Sequence, residues 1–535
     1  MGRVGIITIC LCVACFCTLH AEAYISLSPL DTAALPVAKP TKCEMRFLQN
    51  MLESKAFWRV LQRRLERNYY SDKCIADLQD MLGNMLKHKV LQLPCSYTSI
   101  QPDGDTLCMS GSVILPRNRQ LWGVILASHY TIGSNREAPS ASTPFESIFA
   151  TKCYAVVMAD YLGYGTTARY VHPYLYWQSA AQAQTDLLQS VQQLLDYYGY
   201  TFPKEVISYG YSEGGAVALG TAKYMEHQLP DWQLKAVYAG AGPYDVAATY
   251  DACAEADSVG IPCAIPMLIM GMSAAYNLHL RKADFFREPL LSHYEQWVES
   301  KQYTVNEINT LMATHRLSEV MTPEGRDKAQ PETARFYAAM QQSAILGYAP
   351  SCPTFLFHST TDDIVPFLNS EHLTWSLSAS DTVANTPSIS NTPSISNTST
   401  PNTPSTSSAS SASSTSSTSS TSGTSSTPST SSTPSTPSTS SIPSTSSTPS
   451  TSSTSSTSST PSTSSTSSTS STSTTSSTSS TSSTSSVSSA STTSTTPTTP
   501  STPGLPPHIV SDFADYGSHM AACILFLQRT YAALP

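Results

Sequence analysis

The fold is decided by the stretch Val206-Ile-Ser-Tyr-Gly-Tyr-Ser-Glu-Gly-Gly215, in which an apolar run typical of a buried strand leads directly into a helical pattern. Its centre has the form Gly-x-Ser-x-Gly around Ser212. Between a strand and a helix, these glycines leave room for a tight turn that lifts the serine hydroxyl over the end of a sheet. Ser212 is therefore the candidate nucleophile.

Apolar runs and helical patterns alternate on both sides of this stretch. Continuously apolar strands are covered on both faces, so we predict an α/β fold with a mostly parallel central sheet and helices on both faces. The predicted strands are Ser96–Ile100, Ser110–Leu115, Trp122–Ala127, Tyr154–Ala159, Val206–Tyr209, Leu234–Ala239 and Thr354–Phe357, and the main predicted helices are Ser179–Tyr198, Gly214–His227 and Met520–Tyr531.

Three segments do not follow the alternation. Residues 24–95 are predicted to be an N-terminal helical extension, and residues 251–346, which lack an evident strand, a helical lid. Residues 385–503 are nearly all Ser, Thr and Pro, so they cannot bury a core and are expected to be a disordered insertion, either a plain spacer or a glycosylated stalk. The predicted core then consists of residues 96–250, 347–384 and 504–535.

A serine hydroxyl needs a histidine to take its proton and a carboxylate to orient that histidine. Asp362 follows the strand Thr354–Phe357, which places it at the sheet edge, whereas its neighbour Asp363 is expected to face solvent. Further along the chain, His519 precedes an apolar helix and is the predicted base, and His508 is expected at the surface.

The long insertion between acid and base is compatible with this triad. Loop-closure entropy grows only slowly with length, so extending a ten-residue loop to some 120 residues costs roughly 2 kcal/mol. That is small beside a domain stability of about 5 to 15 kcal/mol.

Negative charge on a reacting carbonyl oxygen needs preplaced donors. The backbone N–H of Glu213, at the predicted helix start, is one candidate, and the N–H of Tyr130 or Thr131 is the other. His129, beside them, is expected to be structural. This chemistry needs no cofactor, and we expect no metal because none of the nine cysteines after Ala23 has the close CxxC spacing of a zinc site.

The first residues predict secretion. Residues 1–23 read as a signal peptide, with an apolar run Val4–Leu19 followed by Ala21-Glu22-Ala23; a membrane anchor, the alternative, needs roughly 20 apolar residues. We expect an extracellular protein, or in a bacterium a periplasmic or cell-surface one. The net charge of −9 argues against nucleic acid as a partner.

Cysteines in an oxidising compartment usually pair as disulfides. Nine of the 13 cysteines follow Ala23, so at least one thiol is left over. The candidate pairs are Cys95 with Cys108, Cys253 with Cys263, and Cys43 with Cys74.

Taken together, the motifs resemble the α/β-hydrolase superfamily and, within it, secreted lipases and esterases. Beside the Ser212 motif, the resemblance rests on Asp160-Tyr-Leu-Gly-Tyr-Gly165, Ala239-Gly-Ala-Gly-Pro243 and Asp362-x-x-Val-Pro366. It covers about 96–381 and 506–535.

The resemblance implies hydrolysis of a small-molecule or lipid ester by a Ser-Asp-His triad, under a lid that can contact a lipid surface. Such hydrolases usually have His-Gly where this chain has His129-Tyr130, so the Tyr130 side chain could narrow the acyl pocket. A secreted serine peptidase of the same fold and a catalytically inactive adhesion module are the alternatives.

Overall fold

The computed structural model describes residues 90–384 except 102, 103, 118, 119 and 202, residues 505–535, and, nearer the N-terminus, residues 19–21, 25–26 and most of 76–84. The predicted insertion at 385–503 and most of the predicted signal peptide and N-terminal extension lie outside these residues.

The centre of the molecule is a mixed β-sheet. Its main strands are β1 (Val90–Ile100), β2 (Thr106–Pro116), β3 (Gly123–Ser128), β4 (Tyr154–Ala159), β5 (Glu205–Tyr211), β6 (Gln233–Gly240), β7 (Thr354–Ser359) and β8 (Ile509–Ala514). They lie in the order β1-β2-β4-β3-β5-β6-β7-β8. The strand β2 is antiparallel to its neighbours β1 and β4, and all later pairs are parallel. Short segments at Leu19–Ala21 and Ile25–Ser26 also pair with β1.

Helices cover both faces of this sheet. In chain order, the helices named here are α1 (Trp177–Tyr198), α2 (Glu213–Gln228), α3 (Val246–Ala256), α4 (Ala264–Ala275), α5 (Lys282–Phe285), α6 (Leu290–Tyr294), α7 (Val305–Met312), α8 (Leu317–Val320), α9 (Pro323–Arg326), α10 (Pro331–Gln342), α11 (Leu368–Ala384) and α12 (His519–Ala533), and a 3₁₀ segment lies at Phe145–Lys152. None of the helices described is long and apolar enough to cross a bilayer.

The strand β3 shows how the two layers arise. Val124 and Leu126 pack in one cluster with the α1 residue Leu187, whereas Ile125 belongs to another cluster with the α12 residue Ile524. Side chains of a strand alternate between faces, so a continuously apolar strand buries both. The predicted mostly parallel sheet between helices is confirmed.

The segment between β6 and β7 is a helical insertion, as the sequence indicated. It has a hydrophobic cluster of its own, with Met272, Phe285, Phe286 and Phe336 among its buried members. It also meets the core closely: a Cβ on Gly133 would lie 2.7 Å from the carbonyl oxygen of Tyr303. Its role as a lid stays a prediction.

Two of the predicted disulfides are wrong. Cys95 is a buried free thiol that lies opposite Gly111, whereas Cys108 lies opposite Thr98. An offset of three positions puts the two side chains on opposite faces of the ladder, beyond the reach of an S–S bond.

The second predicted pair, Cys253 with Cys263, is also wrong, because both thiols are free. Cys263 precedes α4 with its Sγ 3.9 Å from the Val305 carbonyl oxygen, while Cys253 in α3 lines a different space, the cavity described below. The third predicted pair, Cys43 with Cys74, lies outside the described residues.

Candidate active site

Ser212 lies at a sharp turn between β5 and α2. Its φ of 60° and ψ of −130° form a left-handed conformation that an L-residue rarely adopts, and such strain typically marks a functional position. Its N–H donates to the Gly240 carbonyl (2.9 Å). A Cβ on Gly210 would lie 1.9 Å from the Gly214 carbonyl oxygen, and one on Gly214 would lie 2.2 Å from that of Ser128. Only glycine therefore fits at either side of this turn.

Asp362 and His519 meet at the adjoining end of the sheet. His519 Nδ1 lies 2.7 Å from Asp362 Oδ2, across 157 residues of sequence. The side chain of Asp362 is fully buried, and its Oδ1 accepts the N–H groups of Ile364 (2.9 Å) and Val365 (2.8 Å). Burial alone would raise the pKa of this carboxyl, but His519 and His358 more than offset it, so the pKa lies well below its ordinary value.

The neighbour Asp363 has a different place. It is exposed, and its Oδ1 accepts the backbone N–H of His519 at 2.8 Å. A carboxylate there satisfies one of the free N–H groups at the start of α12. The structure thus puts Asp362, and not Asp363, against the imidazole.

Contacts through Tyr211 tie His519 to the turn that carries Ser212. The Tyr211 hydroxyl donates to the His519 carbonyl (2.9 Å), and the two rings lie 4.8 Å apart. Ser212, the next residue, lines a cavity together with Val365, whose N–H binds Asp362. The three predicted site residues therefore lie at one edge of the sheet. His508, by contrast, is exposed and contacts the Pro350 carbonyl.

The cavity at Ser212 encloses about 590 Å³ including its open mouth. Ser212 and His519 are only 6% and 3% exposed. Apart from Ser212, Glu213 and Thr131, the lining is mostly apolar and comes largely from α3, α4 and the loop between them: Val246, Tyr250, Cys253, Val259, Ile261, Ala264, Ile265 and Leu268. The helical insertion thus forms much of an apolar chamber over the serine.

The two candidates for the second oxyanion donor differ in position. Thr131 lines the cavity, and its hydroxyl lies 2.8 Å from the hydroxyl of Tyr174. The ring of Tyr130 stacks on Phe145 instead, 6.2 Å between centroids, and is not part of the cavity wall. The expected narrowing of the pocket by Tyr130 is therefore wrong, because its partly buried side chain packs against Phe145 and the small cluster of Ile132, Ala138 and Tyr164.

The contacts of Asp160 explain the motif Asp160-Tyr-Leu-Gly-Tyr-Gly165. Its Oδ1 accepts the N–H of Ser140 (2.8 Å), and its Oδ2 accepts the hydroxyl of Ser110 (2.6 Å). A Cβ on Gly165 would lie 2.2 Å from that same Oδ2. The buried carboxyl thereby fixes the loop that follows β3, where the oxyanion donors are expected.

His129 packs within this loop. Its ring stacks on Tyr161 at 3.9 Å, and its Nδ1 lies 2.7 Å from the Tyr130 carbonyl oxygen. Burial lowers the pKa of His129, so it is neutral at pH 7. These contacts fit a structural role, which remains a prediction.

Two buried histidines escaped the sequence analysis. His358 in β7 lies 3.4 Å from Asp362 Oδ2 and 3.1 Å from the Val365 carbonyl oxygen. His172 lies 3.0 Å from the carboxylate of Glu213. His358 precedes Asp362 by four residues, so its position near the predicted acid could have been inferred from the sequence. No local pattern around His172 points to Glu213.

The chain resembles known proteins both in sequence and in structure. Residues 146–386 match the protein family described as secretory lipase. A mutant form of the rice cell wall degrading esterase LipA from Xanthomonas oryzae is similar in structure, with a TM-score of 0.51 and 22% identity over 56% of this chain and 83% of that chain. A ligand-bound form of the same esterase has a TM-score of 0.50 and 23% identity over 56% and 83% of the two chains. No curated protein matches the chain in sequence.

The structural likeness establishes the α/β-hydrolase fold. The predicted resemblance to secreted lipases and esterases of that superfamily is confirmed by the family match, which supports a hydrolase of the lipase or esterase type.

Proposed function

Starting from the α/β-hydrolase fold and the match to secretory lipases, we propose that this chain is a secreted serine hydrolase that cleaves carboxylic esters through an acyl-enzyme. The observation that carries the proposal is the 2.7 Å contact between His519 Nδ1 and Asp362 Oδ2 at the sheet edge where Ser212 occupies its strained turn.

In the first step the Ser212 hydroxyl oxygen attacks the ester carbonyl, and His519 Nε2 takes its proton. Asp362 accepts the hydrogen on Nδ1 and so holds the tautomer that leaves Nε2 free to act as a base. The imidazolium then gives its proton to the departing alkoxide, which leaves as the alcohol. In the second step water repeats the sequence on the acyl-enzyme, releasing the acid and restoring Ser212.

The backbone N–H groups of Glu213 and Thr131 are the proposed donors to the carbonyl oxygen as it becomes negative. Thr131 is preferred to Tyr130 because it lines the cavity. The apolar wall supplied by α3 and α4 suits the acyl group of the ester.

The test uses hydrolysis of p-nitrophenyl butyrate by the mature protein. Ser212→Ala is expected to lose at least about 10³-fold in kcat, because its hydroxyl is the atom acylated. Ser190→Ala, whose hydroxyl donates to a carbonyl within α1, is the matched control and should keep full activity. Undiminished hydrolysis by Ser212→Ala would refute the proposal.

A fluorophosphonate probe separates the alternatives. Labelling at Ser212 supports a working hydrolase, whereas an inactive adhesion module would stay unlabelled. A panel of peptidyl amides against acyl esters then tests the peptidase alternative: we expect esters to be cleaved far faster than amides.

A further inference from the structure

Two buried titratable residues near the proposed nucleophile, Glu213 and His172, are not part of the proposed triad. Glu213 follows Ser212 and opens α2, and its Oε1 is 3.0 Å from His172 Nε2. The two side chains are only 3% and 5% exposed. An ionised carboxylate in such a place is costly unless its charge is matched.

The hydrogen-bond geometry fixes how many protons this pair holds. His172 Nδ1 lies 2.7 Å from the Leu162 carbonyl oxygen, which can only accept, so Nδ1 carries a hydrogen. At 3.0 Å, Nε2 and the Glu213 carboxylate need one more proton between them. The pair is then either imidazolium with carboxylate or neutral imidazole with carboxylic acid, and both forms have no net charge.

The other titratable groups that interact with Glu213 cannot balance the negative charge of its carboxylate. Burial lowers the pKa of His129, and burial raises the pKa of Tyr161, Tyr164 and Tyr174, so all four are neutral near pH 7. Among these neighbours, His172 is therefore the one that can balance the carboxylate.

The surroundings hold the His172 ring in this orientation. Its plane is 8° from that of Tyr161, and it lies 4.9 Å from the ring of Tyr164. The backbone is equally confined, since a Cβ on Gly163 would lie 2.6 Å from the His172 Cα. An imidazole fixed in this way can keep its contact with Glu213 through a reaction cycle.

We propose that His172 is a positioning residue that neutralises the Glu213 carboxylate, so that the backbone N–H of Glu213 can stabilise the oxyanion during acyl transfer. The inference rests on the proposed function. An unbalanced negative charge on the very residue that donates to the oxyanion would oppose the charge that develops on the substrate, and it would do so inside a site from which water is largely excluded. The effect belongs to the transition state and so to kcat, while KM depends on the apolar chamber.

His172→Gln tests this, because glutamine retains a hydrogen-bond donor for Glu213 but brings no proton to balance it. At pH 8 we expect kcat for p-nitrophenyl butyrate to fall about 10-fold or more, with KM within about twofold. Adding Glu213→Gln to this variant removes the carboxylate charge and should restore most of the lost kcat. A purely structural role for His172 would not give that rescue.

The matched control is His372→Gln. His372 also lies 2.8 Å from a carboxylate, that of Asp245, but its side chain is 47% exposed and does not line the cavity, so its loss should leave kcat unchanged. Thermal unfolding establishes that the His172→Gln single and double variants are folded. The inference is overturned if folded His172→Gln keeps the parent kcat, or if the double variant, also folded, shows no recovery.

Failure of the proposed function is a separate outcome. If the parent protein neither hydrolyses the ester nor labels with a fluorophosphonate at Ser212, the function itself is wrong. If the parent labels and turns over while His172→Gln matches it, only the role of His172 is rejected.

Discussion

Glu146 is a buried carboxyl that the proposed mechanism does not use. It lies in the 3₁₀ segment Phe145–Lys152, and burial raises its pKa to about 7. In the unfolded chain a glutamate titrates at about 4.3. Between these values the folded state binds the extra proton, so the free energy of unfolding falls as the pH rises through this window.

Glu146→Gln should therefore stabilise the protein in a pH-dependent way. At pH 8 we expect the free energy of unfolding to rise by up to about 3 kcal/mol, because the buried negative charge is gone; at pH 4.5 the gain should largely disappear. Urea unfolding at the two pH values measures this. The exposed Glu255→Gln is the control, and an equal gain from Glu146→Gln at both pH values would contradict the burial argument.

The pair of adjacent aspartates gives a second test at this scale. In Asp362→Asn the amide would favour the wrong tautomer of His519, so kcat should fall about 10³-fold or more. Asp363→Asn keeps an oxygen that can accept the His519 N–H and should lose less than about tenfold. Steady-state kinetics on both variants checks the assignment. Equal losses of kcat in the two variants would mean that Asp362 is not the residue that orients His519.

Local patterns in the sequence led to Ser212, Asp362 and His519, because each sits at a strand end or helix start that its neighbours already reveal. The roles of His358 and His172 depend on which side chains face them in three dimensions. His172, for example, meets Glu213 across 41 residues, in an orientation set by surrounding rings. No spacing in the sequence encodes that contact.

Among the elements, the buried parallel strands were the most predictable. The interior strand β4 has the expected bounds, because its residues form one apolar run. The strand β1 begins at Val90, six residues before the expected start at Ser96. Its buried Gln92 donates to the carbonyl oxygens of Pro139 and Ser142, so a polar residue is satisfied there by a distant loop. A pattern of apolar residues cannot reveal such partners.

A hydrogen bond from the Tyr211 hydroxyl to the His519 carbonyl links β5 to α12. Tyr211→Phe keeps the ring but removes this hydrogen bond. We expect a loss of about 1 kcal/mol in the free energy of unfolding and a several-fold lower kcat, with KM unchanged. Tyr224→Phe, on the outer part of α2, is the control for kcat. An unchanged kcat in folded Tyr211→Phe would show that this hydrogen bond does not position the base.

At the scale of the molecule, the chain leaves the described core after α11 and returns before β8, which pairs with β7 along its whole length. Replacing residues 385–503 by a ten-residue Gly/Ser linker should leave ester hydrolysis intact. It should also raise the free energy of unfolding by roughly 2 kcal/mol, because a shorter loop is easier to close. Hydrolysis and urea unfolding of this deletion variant measure both effects.

A chain ending at residue 384 is the counterpart of that deletion. It lacks β8 and α12, and with them His519, so it should be inactive even where it can be isolated. The two variants should therefore differ in activity. If the variant with the Gly/Ser linker were folded but also inactive, residues 385–503 would contribute to the site.

The order of the strands also sets when activity can begin. A polypeptide emerging from the ribosome folds from its N-terminal side, and here the proposed nucleophile and the proposed orienting acid both precede β8 and α12 by more than 100 residues. Until β8 docks beside β7, the growing chain lacks His519, the proposed base for Ser212. In a protein that is exported as it is made, the proposed triad would thus be completed only after β8 and α12 have been translocated.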